Sequence, residues 1–326
     1  MSQAAPPRGA DRNLDDALQA AASAITGADT VALACHVQPD GDALGSMLAL
    51  HLLCRANGCR SVAAWPGVDP VAPHYLFLPG LDTITPASEF PVRPEVMVTF
   101  DCGSIERLGE LAGPARAAGQ LVVLDHHATN ALYGTINLVD PQAAATAVVV
   151  RRLAGRLGWS LDRDSAECIY AGLVTDTGRF QYSNTTPEVF ALAQELAGFD
   201  LPIAYITREL FEKSRFAYLQ MVAEVLGRAE LDESLGLVVA WVTAEDLSRH
   251  GVTLEETEGL IDLVRRTAEA QVAVVAKEAP EGTRVSLRSI DGPDVGALAQ
   301  SLGGGGHRYA SGFTSSWRGA ASVPTR

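Results

Sequence analysis

Four clusters of acidic residues and histidines stand directly after short apolar runs, and this arrangement most constrains the fold of the chain. The clusters are residues 36–42 (HVQPDGD), Asp101, residues 125–127 (DHH) and Asp176. Open α/β sheets place their ligands at the carboxyl ends of parallel strands, where such side chains converge. A mixture of carboxylates and imidazoles is what a pair of divalent metal ions requires. The sequence therefore predicts a parallel sheet with a metal site at one edge.

The N-terminal part alternates segments typical of buried strands and of helices. Apolar runs predict strands at residues 31–35, 62–65, 96–100 and 121–124. Helical patterns are found at residues 45–57, 105–118, 144–157, 164–173 and 187–197. This βαβ order is typical of a doubly wound parallel sheet, which we predict for an N-terminal domain at residues 14–200.

Beyond about residue 200 these acid and histidine clusters stop and the pattern changes. A connector helix is predicted at residues 202–213, and the length of 326 residues favours two domains. We predict a second, smaller α/β domain at residues 215–326. Its predicted helices are 216–226, 254–267 and 294–302, and its predicted strands are 229–232, 235–243, 271–277 and 283–289.

Charge and composition exclude several classes of protein. The net charge of -14 disfavours a binder of long nucleic acids, because neutralised phosphates supply most of that affinity, but it leaves a short phosphorylated substrate open. No apolar stretch approaches the roughly 18 residues of a membrane span, and the first residues lack the apolar middle of a signal peptide. We therefore expect a cytoplasmic protein with no membrane partner. The five cysteines form no CxxC pair, which disfavours a disulfide framework or a zinc ribbon.

The first cluster has the composition of a loop that serves two metals. His36 follows a predicted strand, and a proline and a glycine give the loop unusual backbone freedom, so Asp40 and Asp42 can face different ions. Asp101 stands alone after the next strong strand, which suits a bridging carboxylate.

The remaining candidates, His126 and Asp176, could complete the second ion. Ligation that is rich in oxygen, with a minority of imidazole, favours Mn²⁺ or Mg²⁺ over Zn²⁺. The sequence alone thus predicts a pair of divalent ions, either Mn²⁺ or Mg²⁺.

Each of these residues also has a purely structural interpretation. A single aspartate after a strand is more often a helix cap than a ligand, and His51 and His74 are expected to be ordinary helix or loop residues. The coincidence of motifs favours function. Only seven histidines are present, and four lie in acid-rich or glycine-rich motifs: His36, His126, His127 and His307.

The glycine run that precedes His307 allows two interpretations. Runs of glycine are most often flexible linkers. Here a predicted helix precedes residues 303–306 and His307-Arg308 follows them, which favours a backbone nest that a nucleotide can approach closely. The run is not a Rossmann fingerprint, because no strand precedes it and the GxGxxG spacing is missing.

Four strings carry a family resemblance that covers nearly the whole chain. They are HVQPDGDALGS (36–46), DHH (125–127), GLVTDTGRFQYSNTTP (172–187) and GGGGHRYASG (303–312). In order and spacing they resemble the DHH phosphoesterase superfamily, and more narrowly its branch of nanoRNases (oligoribonucleases) and 3'-phosphoadenosine 5'-phosphate (pAp) phosphatases. The resemblance implies a DHH domain followed by a DHH-associated domain.

The resemblance also implies roles for individual residues. One manganese would be held by His36, Asp40 and Asp101, and the other by Asp42, Asp101, His126 and Asp176. His127 would contact the scissile phosphate, as a phosphate ligand or as an acid. The residues implied in substrate binding are Arg288, Ser289, Gly304, Gly305 and His307.

The implied reaction is hydrolysis of short oligoribonucleotides to 5'-mononucleotides and of pAp to AMP and phosphate, by a metal-activated water. Dinucleotides are further expected substrates, and a homodimer is plausible. The alternatives are a linear or cyclic dinucleotide phosphodiesterase, a RecJ-like single-strand exonuclease and a manganese pyrophosphatase. The GGGGH motif disfavours the pyrophosphatase, and the short acidic chain disfavours the RecJ-like enzyme. A nucleotide-binding regulator without catalysis would show a broken ligand set, whereas here the set is intact.

One feature departs from the family pattern. Family members continue past the GGGGH segment with a strand and a closing helix, whereas residues 313–326 end in a sequence typical of a loop. The packing of the C-terminus is therefore not implied by the resemblance.

Overall fold

The computed structural model describes residues 9–67 and 71–316, and the side chains of this set from residue 13 onward. The chain divides into two compact units, the first ending at Leu210 and the second beginning at Phe211. Among the residues that the structure describes, no helix combines the length and the apolar character that a membrane span needs.

The first unit is built on a parallel sheet of five strands. They are β1 (Thr30–Cys35), β2 (Arg60–Ala64), β3 (Val96–Phe100), β4 (Gln120–Asp125) and β5 (Ile136–Val139). Their order is β2-β1-β3-β4-β5, and every neighbouring pair is parallel. This confirms the predicted parallel α/β architecture. The sequence analysis missed β5, a four-residue edge strand whose alternation is too short to stand out.

Helices cover both faces of this sheet. They are α1 (Gly9–Gly27), α2 (Gly41–Ala56), α3 (Ala112–Ala117), α4 (Thr146–Leu157), α5 (Arg163–Asp176), α6 (Pro187–Ala197) and α7 (Ile203–Thr207). Thirteen of the sixteen residues of α2 are buried, because α2 packs against strands β1, β2 and β3 and also against the helices α4 and α5. A helix that is apolar on all sides is a central element of the core, and α2 positions the site residues at its own N-terminus.

Two predicted helices of the first unit are wrong in detail. The predicted helix at 105–118 is a 3₁₀ segment, Ile105–Leu111, followed by the short α3, because Gly109 adopts φ 53° and ψ -126°. The predicted connector helix at 202–213 is α7 followed by a π-helical turn, Arg208–Glu212. Three further 3₁₀ turns, Pro73–Tyr75, Leu81–Thr83 and Ala87–Glu89, lie between β2 and β3.

The second unit contains a mixed sheet with the order β10-β11-β9-β8-β7-β6. The strands are β6 (Glu230–Asp232), β7 (Leu237–Val242), β8 (Val272–Ala279), β9 (Gly282–Ser289), β10 (Gly305–His307) and β11 (Ala310–Ser315). Strands β7 and β8 are parallel, and the other neighbours are antiparallel. The helices are α8 (Phe216–Gly227), α9 (Ala244–His250), α10 (Leu260–Val264) and α11 (Val295–Ser301). The predicted helix at 254–267 is instead a 3₁₀ turn, Glu255–Thr257, followed by the short α10.

Half of the glycine run lies in a strand, since Gly305 and Gly306 belong to β10, and Gly303 and Gly304 precede it. The predicted backbone nest for a nucleotide stays a prediction. A Cβ on Gly304 would lie 2.1 Å from the carbonyl oxygen of Gly312, and Gly306 adopts φ 129°. Glycine is therefore required here because β10 and β11 approach each other closely. Strand β11 includes residues 313–315, the start of the segment that follows the GGGGH motif and its neighbours. Residues 317–326, on which the prediction of a loop-like end falls, lie outside the described residues.

Candidate active site

The carboxyl ends of three adjacent strands bring the predicted site residues of the first unit together. His36 follows β1, Asp101 follows β3, and Asp125 ends β4 and leads into His126. Because β1, β3 and β4 are neighbours in a parallel sheet, their last residues share one edge. Two helix ends complete the group, since Asp42 opens α2 and Asp176 closes α5.

The first set of ligand-type atoms comprises His36, Asp40 and Asp101, one atom of each lying within 4.8 Å of the others. His36 Nε2 lies 3.7 Å from Asp101 Oδ2 and 3.9 Å from Asp40 Oδ2. His36 Nδ1 lies 2.8 Å from the carbonyl oxygen of Val37 and 3.2 Å from Arg107 Nη2. In the tautomer in which Nδ1 donates to the carbonyl, the Nε2 lone pair faces the carboxylates. Asp40 also caps α2, because its Oδ1 accepts from the amide of Ala43.

The second set comprises Asp42, His126 and Asp176. His126 Nε2 lies 3.1 Å from Asp176 Oδ2 and 3.8 Å from Asp42 Oδ2. His126 Nδ1 donates to the carbonyl oxygen of Ala143 at 3.2 Å, so this imidazole has the same tautomer as His36. Both histidines are therefore oriented as metal-binding histidines usually are, with one nitrogen held by the backbone.

Asp101 faces both sets. Its Oδ2 is near His36, whereas its Oδ1 lies 3.5 Å from His126 Nε2 and accepts from the Thr146 hydroxyl at 3.0 Å. The residue has φ 54°, a left-handed conformation that is uncommon for residues other than glycine, although aspartate adopts it more readily than most. Strain of this kind persists only where surrounding contacts enforce it, and it concentrates at functional sites.

Asp42 is held by groups that the sequence analysis did not single out. Its carboxylate accepts from the amides of Thr146 at 2.6 Å and Ala147 at 2.9 Å, at the N-terminus of α4, and from the Ser46 hydroxyl at 3.1 Å. A helix N-terminus favours a negative charge. Gly172 of α5 provides the space, since a Cβ there would lie 2.8 Å from Asp42 Oδ1. A glycine inside a predicted helix is the one sequence signal of this close contact.

His127 is positioned by the aspartate that precedes it by two residues. Asp125 is fully buried, and its Oδ1 accepts from His127 Nδ1 at 2.7 Å and from the His126 amide at 2.7 Å. Its Oδ2 accepts from Asn130 Nδ2 at 2.5 Å. Asp125 therefore orients the His127 ring rather than acting as an exposed ligand. From the sequence, Asp125 was recognised only as the first residue of the DHH motif, without a role of its own.

The electrostatics of the site reflect a high density of buried carboxylates. Burial, followed by the charges of Asp101 and Asp176, raises the pKa of Asp42 well above its usual value. Burial opposes ionisation of Asp101 too, but the neighbouring histidines, His127 first, hold its pKa well below the usual value. Burial disfavours the cation of His126, yet Asp176 and the other carboxylates raise its pKa well above 6.5.

These features fit divalent cations. Carboxylate oxygens and two imidazole nitrogens converge in two groups that share Asp101, and most of these side chains are buried. Buried like charges are costly unless a cation compensates them, and oxygen-rich sets of this kind suit Mn²⁺ or Mg²⁺. The donor atoms thus match the metal-dependent chemistry expected from the sequence.

The candidate substrate residues of the second unit lie on neighbouring strands. Arg288 of β9 is opposite Ala310 of β11, which in turn is opposite His307 of β10. Arg288 Nη1 donates to the carbonyl oxygen of Leu287, and Arg288 Nε lies 3.8 Å from Asp262 Oδ1. The sheet therefore brings Arg288, Ser289 and the glycine run with His307 to one end. Their role in binding stays a prediction.

Comparisons with known proteins agree with this architecture. The DHH family N-terminal domain matches residues 30–173, and the DHHA1 domain matches residues 235–321. A bifunctional oligoribonuclease and PAP phosphatase NrnA of Thermus thermophilus is 34% identical over 283 residues, which cover 86% of this chain and 83% of that protein. The protein of the same description from Bacillus subtilis is 29% identical over 288 residues, with coverage of 87% and 88%.

A solved structure shares the fold. The crystal structure of an exopolyphosphatase-related protein from Bacteroides fragilis matches with a TM-score of 0.83 at 24% identity, covering 92% of this chain and 91% of that one. The matched domains and the similarity to NrnA over most of the chain confirm the resemblance on which the sequence analysis relied. The chain belongs to the DHH family of phosphoesterases and is a hydrolase of phosphoric esters.

Proposed function

We propose that the chain is a two-manganese phosphoesterase that hydrolyses short oligoribonucleotides to 5'-mononucleotides and pAp to AMP and phosphate. The observation that supports this most is the position of Asp101, whose two carboxylate oxygens face two separate sets of ligand atoms. A carboxylate between two sets is the arrangement that a two-metal site needs. The names of the relatives supply the substrate classes.

In this proposal, His36, Asp40 and Asp101 hold one ion, and Asp42, Asp101, His126 and Asp176 hold the other. Two such ions, when bound, lower the pKa of a water and neutralise the phosphoryl oxygens during in-line attack. Asp42 and Asp101 keep their positions because the N-terminal residue of α4, Thr146, donates to both.

His127 contacts the scissile phosphate in the proposed reaction. Asp125 fixes the orientation of the ring through Nδ1. Burial disfavours the imidazolium, but the charges of Asp101 and Asp125 raise the pKa of His127, so this ring can donate to an anionic phosphoryl oxygen or to the leaving group. Arg288 and His307 are the proposed contacts to the nucleotide, an assignment that rests on the resemblance.

The charge of the chain sets the proposed length of the substrate. A net charge of -14 repels extended polyanions, whereas two cations and a few basic residues can neutralise a short substrate locally. We therefore propose that the enzyme accepts a few nucleotides and does not act on long strands.

Parallel turnover assays test this function. We expect hydrolysis of pAp, dinucleotides and short oligoribonucleotides, with rates that fall towards substrates of about 25 nucleotides, well beyond the footprint of one small binding domain. A rate that rises with length would favour the RecJ-like alternative. Turnover of cyclic or linear dinucleotides alone, without pAp, would favour the dinucleotide phosphodiesterase. Absence of turnover with tight nucleotide binding would indicate the regulator.

A further inference from the structure

The C-terminus of α2 contains two cysteines, separated by four residues, that the proposed reaction does not use. All five cysteines are free thiols. Cys54 lies in the last turn of α2 and is fully buried, whereas Cys59 follows the helix and is partly exposed. From Asp42 to Cys54 the helix rises by about 18 Å, at about 1.5 Å per residue, so this pair is separate from the candidate metal site.

The backbone between the two cysteines forms a Schellman motif. The amide of Cys59 donates to the carbonyl oxygen of Cys54 at 2.9 Å, and the amide of Gly58 donates to that of Arg55 at 3.3 Å. Gly58 has φ 73°, the left-handed conformation that this motif requires. A contact between the side chains at the positions of Cys54 and Cys59 frequently accompanies this motif.

This geometry is compatible with a disulfide. The hydrogen bond from the Cys59 amide to the Cys54 carbonyl oxygen brings the two backbones together, and a disulfide needs Cα atoms about 4.4 to 6.8 Å apart. We propose that Cys54 and Cys59 form a redox-active dithiol that small-molecule disulfides oxidise to an intramolecular disulfide. The inference does not depend on the proposed substrates.

The environments of the thiols assign different roles to them. The hydrogen bond from the Cys54 thiol lowers the pKa of Cys59 to about 7, although partial burial opposes this. The same contact, followed by burial, raises the pKa of Cys54 far above its usual value. Cys59 is therefore the nucleophile that an oxidant reaches first, and Cys54 is the resolving thiol that lies behind it.

The reaction is balanced as a pair of thiol–disulfide exchanges. The Cys59 thiolate attacks one sulfur of the oxidant RSSR, forms a mixed disulfide and releases one thiolate RS⁻, which takes up the proton of Cys54. Cys54 Sγ then attacks Cys59 Sγ and releases the second RS⁻, which takes up from solvent the proton that Cys59 gave up on ionising. The protein loses two electrons, and RSSR is reduced to two thiols.

The remaining cysteines provide a contrast within the same protein. Cys35 and Cys168 are fully buried, and burial raises their pKa values well above the usual value. Cys102 is buried too, and burial raises its pKa to about 11. These thiols are protonated at neutral pH and shielded from solvent, so we expect oxidation to be confined to Cys54 and Cys59.

Treatment of the full chain with oxidised glutathione, followed by intact mass and peptide analysis, tests the proposal. We expect the wild type to lose two hydrogens and to retain no glutathione. Trypsin cuts after Arg55 and Arg60, so the oxidised pair should appear as peptide 56–60 joined to peptide 13–55, and the two should separate on reduction. Fragment spectra should assign the bond to Cys54 and not to Cys35, which lies in the same peptide. Cys59→Ser should remove the reaction, and the control Cys102→Ser should react like the wild type.

Cys54→Ser provides the decisive comparison, because it removes the resolving thiol alone. This variant should accumulate a stable glutathione adduct on Cys59, and Cys54→Ala serves the same purpose if a buried hydroxyl impairs folding. A wild type that keeps the adduct on Cys59 while Cys54 stays reduced would overturn the proposal. Oxidation at Cys35, Cys102 or Cys168 in preference to Cys59, or no reaction at any cysteine, would overturn it as well.

Discussion

The two units hold their candidate functional residues in different ways. In the first unit, Asp42 and Asp101 are nearly inaccessible and accept hydrogen bonds from Thr146, more than forty residues away along the chain. In the second unit, Arg288 is partly exposed. Its side chain donates to the carbonyl oxygen of Leu287 and lies 3.8 Å from Asp262 Oδ1. Ligands that are fixed by distant elements suit chemistry, which needs a preorganised geometry. For the less constrained Arg288 we propose recognition of a substrate group.

This comparison predicts that damage to the first unit abolishes the reaction and that damage to the second weakens recognition. The largest effect should come from removal of the metal. Because the ligands are mostly carboxylates, excess chelator should reduce turnover of pAp to background, and Mn²⁺ should restore it better than Mg²⁺ or Zn²⁺. Turnover that persists after exhaustive chelation, with metal content checked by elemental analysis, would contradict the two-metal site.

The next effect concerns Asp101, the residue that both ligand sets share. Asp101→Asn removes the charge while preserving the shape, so we expect kcat/KM to fall by more than about 100-fold, since even changes behind a metal ligand cost about 10- to 100-fold. Asp164→Asn is the matched control, because it changes an exposed aspartate of α5 outside the site. Near wild-type turnover by a folded Asp101→Asn would make this residue structural.

Much of this first region could be predicted from the sequence. His36, Asp101 and His126 follow apolar runs, and parallel strands place the ends of such runs at one edge of the sheet. The position of Asp42 at the N-terminus of α4 could not be predicted, because it depends on how α2, α4 and α5 pack across more than one hundred residues. Gly172 is an example, because a side chain at this position would clash with the carboxylate of Asp42, which is distant in sequence.

In the second region, local composition was a poorer guide. Residues 303–306 are all glycine, which adopts many conformations, so the sequence does not specify their structure. It also does not show that β11 lies so close to them that a side chain would clash. The 3₁₀ segment at 255–257, and in the first unit the one at 105–111, could not be predicted either, because their hydrophobic pattern resembles that of an α-helix over one or two turns.

Replacement of Asp125 tests whether the orientation of the His127 ring affects turnover. Asp125→Asn should keep the fold but weaken the hold on His127 Nδ1, so we expect kcat to fall by about 10- to 100-fold with little change in bound metal. Thermal unfolding and metal content provide the controls. A variant that loses metal instead would show that Asp125 supports the ion site rather than the orientation of His127.

A smaller effect is expected in the second unit. Arg288→Ala removes a charged hydrogen-bond donor, so kcat/KM for pAp should fall by about tenfold while both metals remain bound. Arg284→Ala is the matched control, because Arg284 lies on the same strand and is bonded to Glu281. His307→Ala should resemble Arg288→Ala.

A small activated phosphodiester without a nucleotide makes this test specific. Distant contacts assist only the substrates that possess them, so the second-unit variants should retain most of the wild-type activity towards it. If Arg288→Ala impairs this substrate as strongly as pAp, Arg288 acts at the reacting phosphate, and the proposed division between the two units fails.

The smallest effect concerns the free energy of unfolding, which we expect to depend on pH in different ranges in the two units. His51 of α2 is buried, and its Nδ1 accepts from the Ser61 hydroxyl at 2.8 Å, so the fold binds the neutral ring. Burial, followed by the charge of Arg55, lowers the pKa of His51 to about 4. The contribution of His51 to stability is present above the unfolded pKa of about 6.5 and is lost as the pH falls towards 4, by at most about 1.4 kcal/mol per pH unit.

His51→Gln keeps a hydrogen-bonding group that does not titrate. The difference in unfolding free energy between the wild type and this variant should therefore shift in favour of the variant across that window. In the second unit, burial opposes ionisation of Asp246, but the hydrogen bond from Arg228 holds the pKa of this carboxyl below its usual value. The stability that Asp246 contributes is therefore lost only when the pH falls below that usual value. Chemical denaturation at several pH values measures both, and a wild-type-to-variant difference that does not change between pH 6.5 and 4 would refute the assignment of His51.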